Sequence, residues 1–177
     1  VTDCVGVYGD SANQQYGHNT LKNVSGAVTL FSQAYGSSAG SSGVIIGTQD
    51  FCWEIDFKAT GTLGSFESLV SNRPTNSGTT GAVCIGINDL GQLYIYANSA
   101  YVISPTSATL CSTPTSWHKV AYSVTSGTGR LFLDGVLIGT GTQPTVTYTS
   151  RISLGADYNG AERFVGNLAN FRYTLGQ

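Results

Sequence analysis

The sequence predicts an all-β fold in which two antiparallel sheets pack face to face as a sandwich. Short apolar runs that end at turn residues recur along the whole 177-residue chain, as they do in such sandwiches. No apolar pattern with a helical period runs for long, and the 23 glycines disfavour helices. We therefore expect a single domain over residues 1–177, with residues 1–25 forming an N-terminal extension packed on the sandwich.

The clearest strand in the first half is Phe51–Lys58, where apolar and polar residues alternate strictly. This period of two predicts one face buried in the core and one face turned outward. Shorter apolar runs bounded by turn residues predict three more strands in this half. They are Ala27–Ser32, Val44–Ile46 and Phe66–Ser71.

A hairpin follows, with predicted strands Ala82–Ile87 and Gln92–Ala97 joined by a turn at residues 88–91. Its aliphatic residues occupy alternate positions, so they should share the core face. Tyr94 and Tyr96 then fall on the opposite face of the sheet. Tyr101–Ser104 is predicted as a further short strand.

The second half contains the strongest hairpin signal, Asp134-Gly135 between two apolar runs. It predicts paired strands at Arg130–Leu133 and Val136–Thr140. Apolar runs on either side of this hairpin complete the predicted set of strands. They are Trp117–Val124, Thr145–Thr149, Arg151–Leu154 and Gly166–Tyr173.

The surface is expected to be polar but poor in charge. Only 10% of the residues are charged, well below the usual value of about a quarter, and the net charge is -2. The 8 basic residues are scattered, which argues against nucleic acid as a partner. No apolar run approaches the ~20 residues that span a bilayer, so we expect no membrane insertion. A surface of hydroxyls, amides and glycines suits an extracellular or virion-surface protein, and the start at Val1 suggests a mature product or a fragment.

The four cysteines leave two alternatives open. Cys4, Cys52, Cys84 and Cys111 lack the close spacing of a zinc site. Either they form disulfides, in a pairing that the sequence does not determine, or some of them are buried free thiols that pack as small apolar residues.

Four segments are similar to motifs of a known family. They read Trp-His-Lys-Val-Ala at residues 117–121, Leu-Phe-Leu-Asp-Gly at 131–135, Ile-Ser-Leu-Gly at 152–155 and Gly-Asn-Leu-Ala-Asn-Phe-Arg at 166–172. They resemble the concanavalin A-like lectin/glucanase superfamily, in its laminin-G-like or pentraxin-like branch. The resemblance implies a concanavalin A-like jelly roll. Similar modules are frequent in viral and phage attachment proteins, but the superfamily contains lectins, glycosidases, adhesion modules and spacers.

The glucanase branch of this superfamily carries Glu-x-Asp-x-Glu on one strand, and this chain has Glu54, Asp56 and Lys58 in that pattern. A retaining glycosidase needs two carboxyl groups about 5–5.5 Å apart, one as nucleophile and one as proton donor. Lys58 replaces the proton donor, so we expect no catalytic residues and no enzyme. Glu54 and Asp56 are expected to be ordinary outward-facing residues, paired with Lys58.

The resemblance also raises calcium, which laminin-G-like and pentraxin-like modules hold at one rim through oxygen ligands. Asp89 beside Asn88, and Asp157 beside Asn159, are the candidate ligands, with Glu162 as a further contributor. Ordinary turn chemistry explains the same residues without an ion, so calcium stays an open alternative. Trp53 and Trp117 are expected in the core, and His118 is expected to make a structural hydrogen bond at a strand start.

Sugar recognition needs aromatic rings that stack on C–H groups, with amide or charged side chains for the hydroxyls. The 10 tyrosines supply such rings. Cross-strand pairing explains any one tyrosine as well, but the set together favours a binding surface. The predicted ligand-binding residues are Tyr94, Tyr96, Asn98, Tyr101, Tyr158, Asn159 and Arg163.

We therefore expect a non-catalytic carbohydrate-binding module that attaches a viral or secreted protein to a cell-surface glycan. Because binding at a single site would be weak, repeated copies of the chain would raise the overall affinity. We therefore also expect the chain to associate with other copies of itself. The alternative from another class is a structural spike, capsid or fibre module that binds protein subunits and no glycan. A glycoside hydrolase is the remote third possibility.

Overall fold

The computed structural model describes residues 21–22, 28–30, 48–73, 80–147, 152–157 and 161–175. Within these residues, twelve strands form two antiparallel sheets, and the one helical segment is a 3-10 turn at Ser107–Thr109. The predicted all-β sandwich is therefore confirmed. None of the helical structure described in these ranges is long and apolar enough to cross a membrane.

Sheet A contains six strands. They are β1 (Leu21–Lys22), β3 (Phe51–Ala59), β8 (His118–Thr125), β9 (Thr128–Leu133), β10 (Val136–Thr142) and β12 (Gly166–Leu175). Their spatial order is β1-β12-β3-β8-β9-β10, so the strand nearest the end of the sequence lies inside the sheet.

Sheet B also contains six strands. They are β2 (Val28–Leu30), β4 (Glu67–Ser71), β5 (Val83–Ile87), β6 (Leu93–Ala97), β7 (Ala100–Ile103) and β11 (Ile152–Leu154). Their spatial order is β2-β11-β4-β5-β6-β7, which makes β5 and β6 central and β7 an edge strand.

Two strand predictions need comment. The predicted strand Thr145–Thr149 is wrong over its described part, where Val146 makes only an isolated bridge, and the preceding Pro144 has no N–H to extend a ladder. The predicted strand Val44–Ile46 lies outside the described residues. Strand β1 was not predicted, because a two-residue strand carries no alternation to detect.

The core lies between the two sheets, and alternate residues of several strands contribute to it. In β3 these are Phe51, Trp53, Ile55 and Phe57, as the alternation predicts. The central strands of sheet B contribute their aliphatic residues in the same way. They are Val83, Ile85, Ile87, Leu93 and Ile95.

Two glycines make room for tyrosine rings on neighbouring strands. A Cβ atom on Gly86 would lie 2.1 Å from Cζ of Tyr94, and one on Gly129 would lie 2.1 Å from the hydroxyl oxygen of Tyr122. The Tyr122 hydroxyl also donates to Oε1 of Gln143 over 2.6 Å. Each ring therefore occupies the space that a side chain would fill at the glycine, an arrangement known to support glycines in sheets.

Candidate functional site

The outer face of sheet B brings tyrosines together with small polar residues. Because aliphatic residues of β5 and β6 point into the core, Cys84, Gly86, Tyr94 and Tyr96 point outward, as predicted for the two tyrosines. The register places Tyr96 between Cys84 on one side and Tyr101 on the other.

Four aromatic rings on this face form a continuous chain of edge contacts. Tyr101 lies 5.3 Å from Tyr96 and 5.6 Å from Tyr94, and Phe66 lies 6.2 Å from Tyr94, all as centroid distances with nearly perpendicular rings. These are favourable aromatic geometries. We call Phe66, Tyr94, Tyr96 and Tyr101 the aromatic face.

The members of the aromatic face differ in exposure. Tyr101 is 39% exposed, Phe66 is also exposed and Tyr96 is half-buried, whereas Tyr94 is only 2% exposed. Tyr94 therefore cannot stack on a ligand, which corrects its prediction as a ligand contact. It lies over Gly86 and positions Tyr101 and Phe66, and its burial raises the pKa of its phenol.

An ion pair between a buried arginine and a partly buried glutamate adjoins the aromatic face. Arg73 is 4% exposed, its guanidinium carbon lies 5.5 Å from the centre of the Tyr96 ring, and its Nη2 pairs with Oε2 of Glu162. The Ser68 hydroxyl donates to the same carboxylate oxygen over 3.0 Å. Burial opposes the charged form of Arg73, but the neighbouring Cys84 and Glu162 outweigh it and raise the pKa of the guanidinium.

A buried carboxyl group, that of Glu67, lies at the start of β4. Oε1 of Glu67 accepts from the Gly64 backbone N–H over 2.5 Å, and Oε2 accepts from the Val165 N–H over 3.1 Å. Burial raises the pKa of Glu67, and these two hydrogen bonds counteract only part of that rise. Glu67 thereby ties two loops to the strand that carries Ser68.

Sequence reasoning missed Phe66 and Arg73 as site residues, and considered Glu162 only for calcium. Arg73 and Glu162 are 89 positions apart in the chain, and the fold brings them together because Ser68 N donates to the Glu162 carbonyl over 2.8 Å. The available signal was the position of Phe66 and Arg73 at the two ends of the predicted strand Phe66–Ser71.

The remaining predicted ligand contacts are placed as follows. Asn98 lies exposed in the β6–β7 turn with a positive φ of 50°, and its Oδ1 accepts from Gly81 N–H over 3.1 Å, so its role as a ligand contact stays a prediction. Arg163 is exposed and forms an isolated β-bridge with Ser68, next to the Arg73–Glu162 pair. Tyr158 and Asn159 lie outside the described residues.

The candidate calcium ligands are held by turn chemistry. Oδ1 of Asn88 accepts from Leu90 N–H and Gln92 N–H, which leaves Asp89 as an exposed turn residue. Oδ1 of Asp157 accepts from Ala161 N–H over 2.7 Å, while its buried Oδ2 has no partner among the described residues. In the described part of the chain no three acidic, histidine or cysteine residues group together, and a calcium ion needs six to eight oxygens. The described candidates therefore form no cluster of calcium ligands, and Asn159 lies outside the described residues.

Both carboxylates of the glucanase-like strand lie in ion pairs. Glu54 pairs with Arg172 of β12, and Asp56 pairs with Lys119 of β8 over 2.7 Å. The amide of Asn170 also donates to Asp56 over 2.6 Å. Lys58 is not the partner of either carboxylate, which corrects that prediction.

Trp53 and Trp117 differ, because only Trp53 belongs to the core. Trp117 is 45% exposed, and its expected core position is wrong. Strand β8 begins one residue later, at His118. Val120 and Tyr122 of this strand point inward, so the alternation directs Trp117 outward. His118 makes the expected structural contact at the strand start, with Nδ1 2.7 Å from Oδ2 of Asp134.

Three cysteines are described, and all of them are free thiols: Cys52, Cys84 and Cys111. Cys84 and Cys111 are buried, as the free-thiol alternative requires. Cys52 lies on the outer face of sheet A, where burial, and then the charge of Glu54, raise the pKa of its thiol to about 11. Cys4 lies outside the described residues.

Comparison with solved structures shows the same fold in several glycan-related proteins. The CBM40 module of the Ruminococcus gnavus IT-sialidase, bound to α2,3-sialyllactose, has a TM-score of 0.56 at 17% identity, covering 73% of this chain and 76% of that one. Domain 4 of the Geobacillus stearothermophilus arabinanase AbnA, in complex with arabinotriose, has a TM-score of 0.57 at 17% identity, covering 98% and 87%.

Laminin G domains also share the fold. Domains LG4-5 of the mouse laminin α1 chain have a TM-score of 0.63 at 15% identity, and the alignment covers 89% of this chain and 41% of that one. No curated protein sequence matches this chain. A laminin-G-type family model, described as the concanavalin A-like lectin/glucanases superfamily, matches residues 31–174. With the motifs of β8–β12 and the two-sheet architecture, this match shows that the chain belongs to the concanavalin A-like lectin/glucanases superfamily.

Proposed function

We propose that this chain is a non-catalytic carbohydrate-binding module whose glycan contacts the aromatic face of sheet B. The observation that carries this proposal is the pair of Tyr96 and Tyr101, whose rings lie 5.3 Å apart at an accessible part of the sheet. Aromatic rings offer apolar surface for the C–H groups of a sugar. Modules of similar fold that hold sialyllactose or arabinotriose support the same class of ligand.

The absence of catalysis is part of the proposal. Glu54 and Asp56, the two carboxylates in the glucanase pattern, are each bound to a basic residue on a neighbouring strand. Lys58 occupies the position of the proton donor, and a retaining mechanism needs a second carboxyl group there. This arrangement supports a structural role for both carboxylates.

The proposed setting is the surface of a virion or the outside of a cell, with a cell-surface glycan as the partner. The low charge and the abundance of hydroxyl and amide side chains support this setting. The sparse basic residues support a module that does not bind nucleic acid.

A glycan array probed with the multivalently displayed protein tests the function. We expect a consistent set of bound glycans, and Tyr101→Ala should weaken binding at least tenfold because it removes the exposed ring. A tenfold loss corresponds to about 1.4 kcal/mol, within the range of one aromatic contact. Tyr101→Phe keeps the ring and should retain most of the binding.

The matched control is Trp117→Ala, which removes an exposed aromatic ring from the other sheet. It should leave the array pattern unchanged. If Trp117→Ala abolished binding while Tyr101→Ala did not, the site would lie on sheet A. A folded, multivalent protein that bound no glycan would contradict the carbohydrate-binding function.

One observation favours the second candidate function, a structural module that binds protein subunits. Val136 and Leu137 are consecutive exposed apolar residues on β10, the edge strand of sheet A. Exposed apolar residues on an edge strand are typical of association surfaces. Sedimentation of the purified chain would support this candidate if a stable oligomer formed and Leu137→Lys dissociated it.

A further inference from the structure

The Arg73–Glu162 pair leaves one hydrogen-bond donor unused. Nη2 of Arg73 pairs with Glu162 and lies 3.4 Å from the Ser68 hydroxyl, but none of the described residues gives the buried Nε–H a hydrogen-bond partner. Buried donors are nearly always paired in native proteins, and an unpaired one is costly. An oxygen atom of a ligand bound beside the aromatic face would supply an acceptor for this donor.

The space at Arg73 restricts which acceptor can reach it. The side chain is 4% exposed and lies beneath neighbours that include the Tyr96 ring. A group that reaches Nε must be small, such as a single hydroxyl. A carboxylate is larger and carries a charge that would have to be desolvated on the way in.

The charges around Arg73 also disfavour a ligand that carries a carboxylate. Its positive charge is already paired with the partly buried Glu162, and Glu67, next to Ser68 in β4, adds a carboxyl group that is buried. An acidic sugar would bring a further negative charge to this place. A hydroxyl instead accepts from a guanidinium N–H and donates to a carboxylate oxygen, so it can satisfy both members of the pair.

We propose that the Arg73–Glu162 pair makes this site selective for neutral, hydroxyl-bearing sugars and discriminates against sugars that carry a carboxylate. The proposal rests on the proposed carbohydrate-binding function and adds the ligand class. Arg163 is exposed at the rim beside the pair, and attraction of an acidic sugar to Arg163 is the competing outcome.

The test uses matched pairs of probes that differ only at carbon 6 of the sugar. Polymer conjugates bearing β-glucose, β-galactose or β-mannose are compared with conjugates bearing glucuronic, galacturonic or mannuronic acid. We expect the wild-type chain to prefer the neutral member of each bound pair at least tenfold. Glu162→Gln should reduce that preference at least threefold, because it removes the negative charge that repels the carboxylate.

The matched control is Glu54→Gln, which causes the same change in net charge on the outer face of sheet A. It should leave the preference unchanged. Salt provides a second measurement on the wild-type chain, independent of whether Glu162→Gln folds. Screening weakens repulsion, so uronic acid binding should rise between low and high ionic strength.

The outcomes separate the two proposals. One outcome is that the wild-type chain binds a uronic acid as tightly as its neutral partner, and that both Tyr101→Ala and high salt weaken this binding. This outcome would overturn the proposed ligand class but leave the proposed carbohydrate-binding function in place. A chain that bound none of the six conjugates and no glycan on the array would overturn both.

Discussion

At the scale of single residues, Tyr94 shows how a buried side chain can prepare a surface. Its ring fills the space above Gly86, and its edges support Tyr101 and Phe66. The alternation in β6 predicts the direction in which Tyr94 points. It does not predict burial, because that depends on Phe66 and Tyr101, which come from other strands or loops.

Gly86→Ala tests this support. The new Cβ would lie within 2.1–2.4 Å of three atoms of the Tyr94 ring, which is buried and cannot move aside freely. We expect a loss of about 1–3 kcal/mol in the free energy of unfolding, measured by urea denaturation. Glycan binding should fall with it, since Tyr101 rests on the displaced ring.

Gly64→Ala is the control for Gly86→Ala. Its new Cβ would have its nearest contact at 3.4 Å, with Oε1 of Glu67, which is an ordinary van der Waals distance. We expect a change within about 0.5 kcal/mol, as at most sites outside the core. Equal effects of the two substitutions would mean that the Tyr94 ring is not held over Gly86.

At the scale of elements, the β9–β10 hairpin shows a turn tied to the neighbouring strand. Asp134 and Gly135 both have positive φ values, 50° and 83°, as a two-residue type I′ turn requires. Asp134 accepts from the Lys119 N–H over 2.8 Å and lies 2.7 Å from Nδ1 of His118. The sequence predicts the turn, but not this contact with the start of β8.

Asp134→Asn isolates that contact, because Asn-Gly forms the same type of turn. Slight burial works against ionisation, but hydrogen bonds from His118 and the Lys119 N–H lower the pKa of Asp134. A carboxyl with a lowered folded-state pKa stabilises the fold above its unfolded pKa of about 3.9 and loses that contribution as pH falls. The melting temperature of the wild-type chain should exceed that of Asp134→Asn most at pH 6, and least near pH 2.

Asp89→Asn is the control for the pH series, since Asp89 is an exposed turn residue. Its melting temperature should follow that of the wild-type chain throughout. If the difference in melting temperature between the wild type and Asp134→Asn stayed constant from pH 6 to pH 2, this would argue against an ionic contribution from Asp134.

At the scale of the whole molecule, the period of two predicts most of the fold but little of the site. It predicts the core face of β3 and the outward tyrosines, because both follow from local alternation. The same alternation, followed back from the inward-facing Val120, predicts that Trp117 points outward. Trp117 was expected in the core only because tryptophan is an apolar residue, and that expectation was wrong. Arg73 and Glu162 could not be paired from the sequence, since only the sheet topology brings their loops together.

The open position of the aromatic face predicts weak binding by a single copy. In the proposed binding mode only one outer face of the sandwich contacts the sugar, so little ligand surface is buried. Joining four copies should raise the apparent affinity on a dense glycan surface by roughly 10²–10⁴. Surface plasmon resonance of the monomer and of a streptavidin-linked tetramer measures this gain, with the Tyr101→Ala tetramer as control. Equal apparent affinities for monomer and tetramer would contradict it.

The position of β12 has a consequence for biosynthesis. This strand, the last one described, lies between β1 and β3, and its pairing with β3 joins residues more than a hundred positions apart. Until the ribosome releases β12, the nascent chain leaves an edge of β3 unpaired and open to other chains. Sheet A therefore cannot close before β12 has been synthesised, and such long-range closure is slow. Yield in cells should accordingly depend on chaperones and on growth temperature more than on the stability of the finished sandwich.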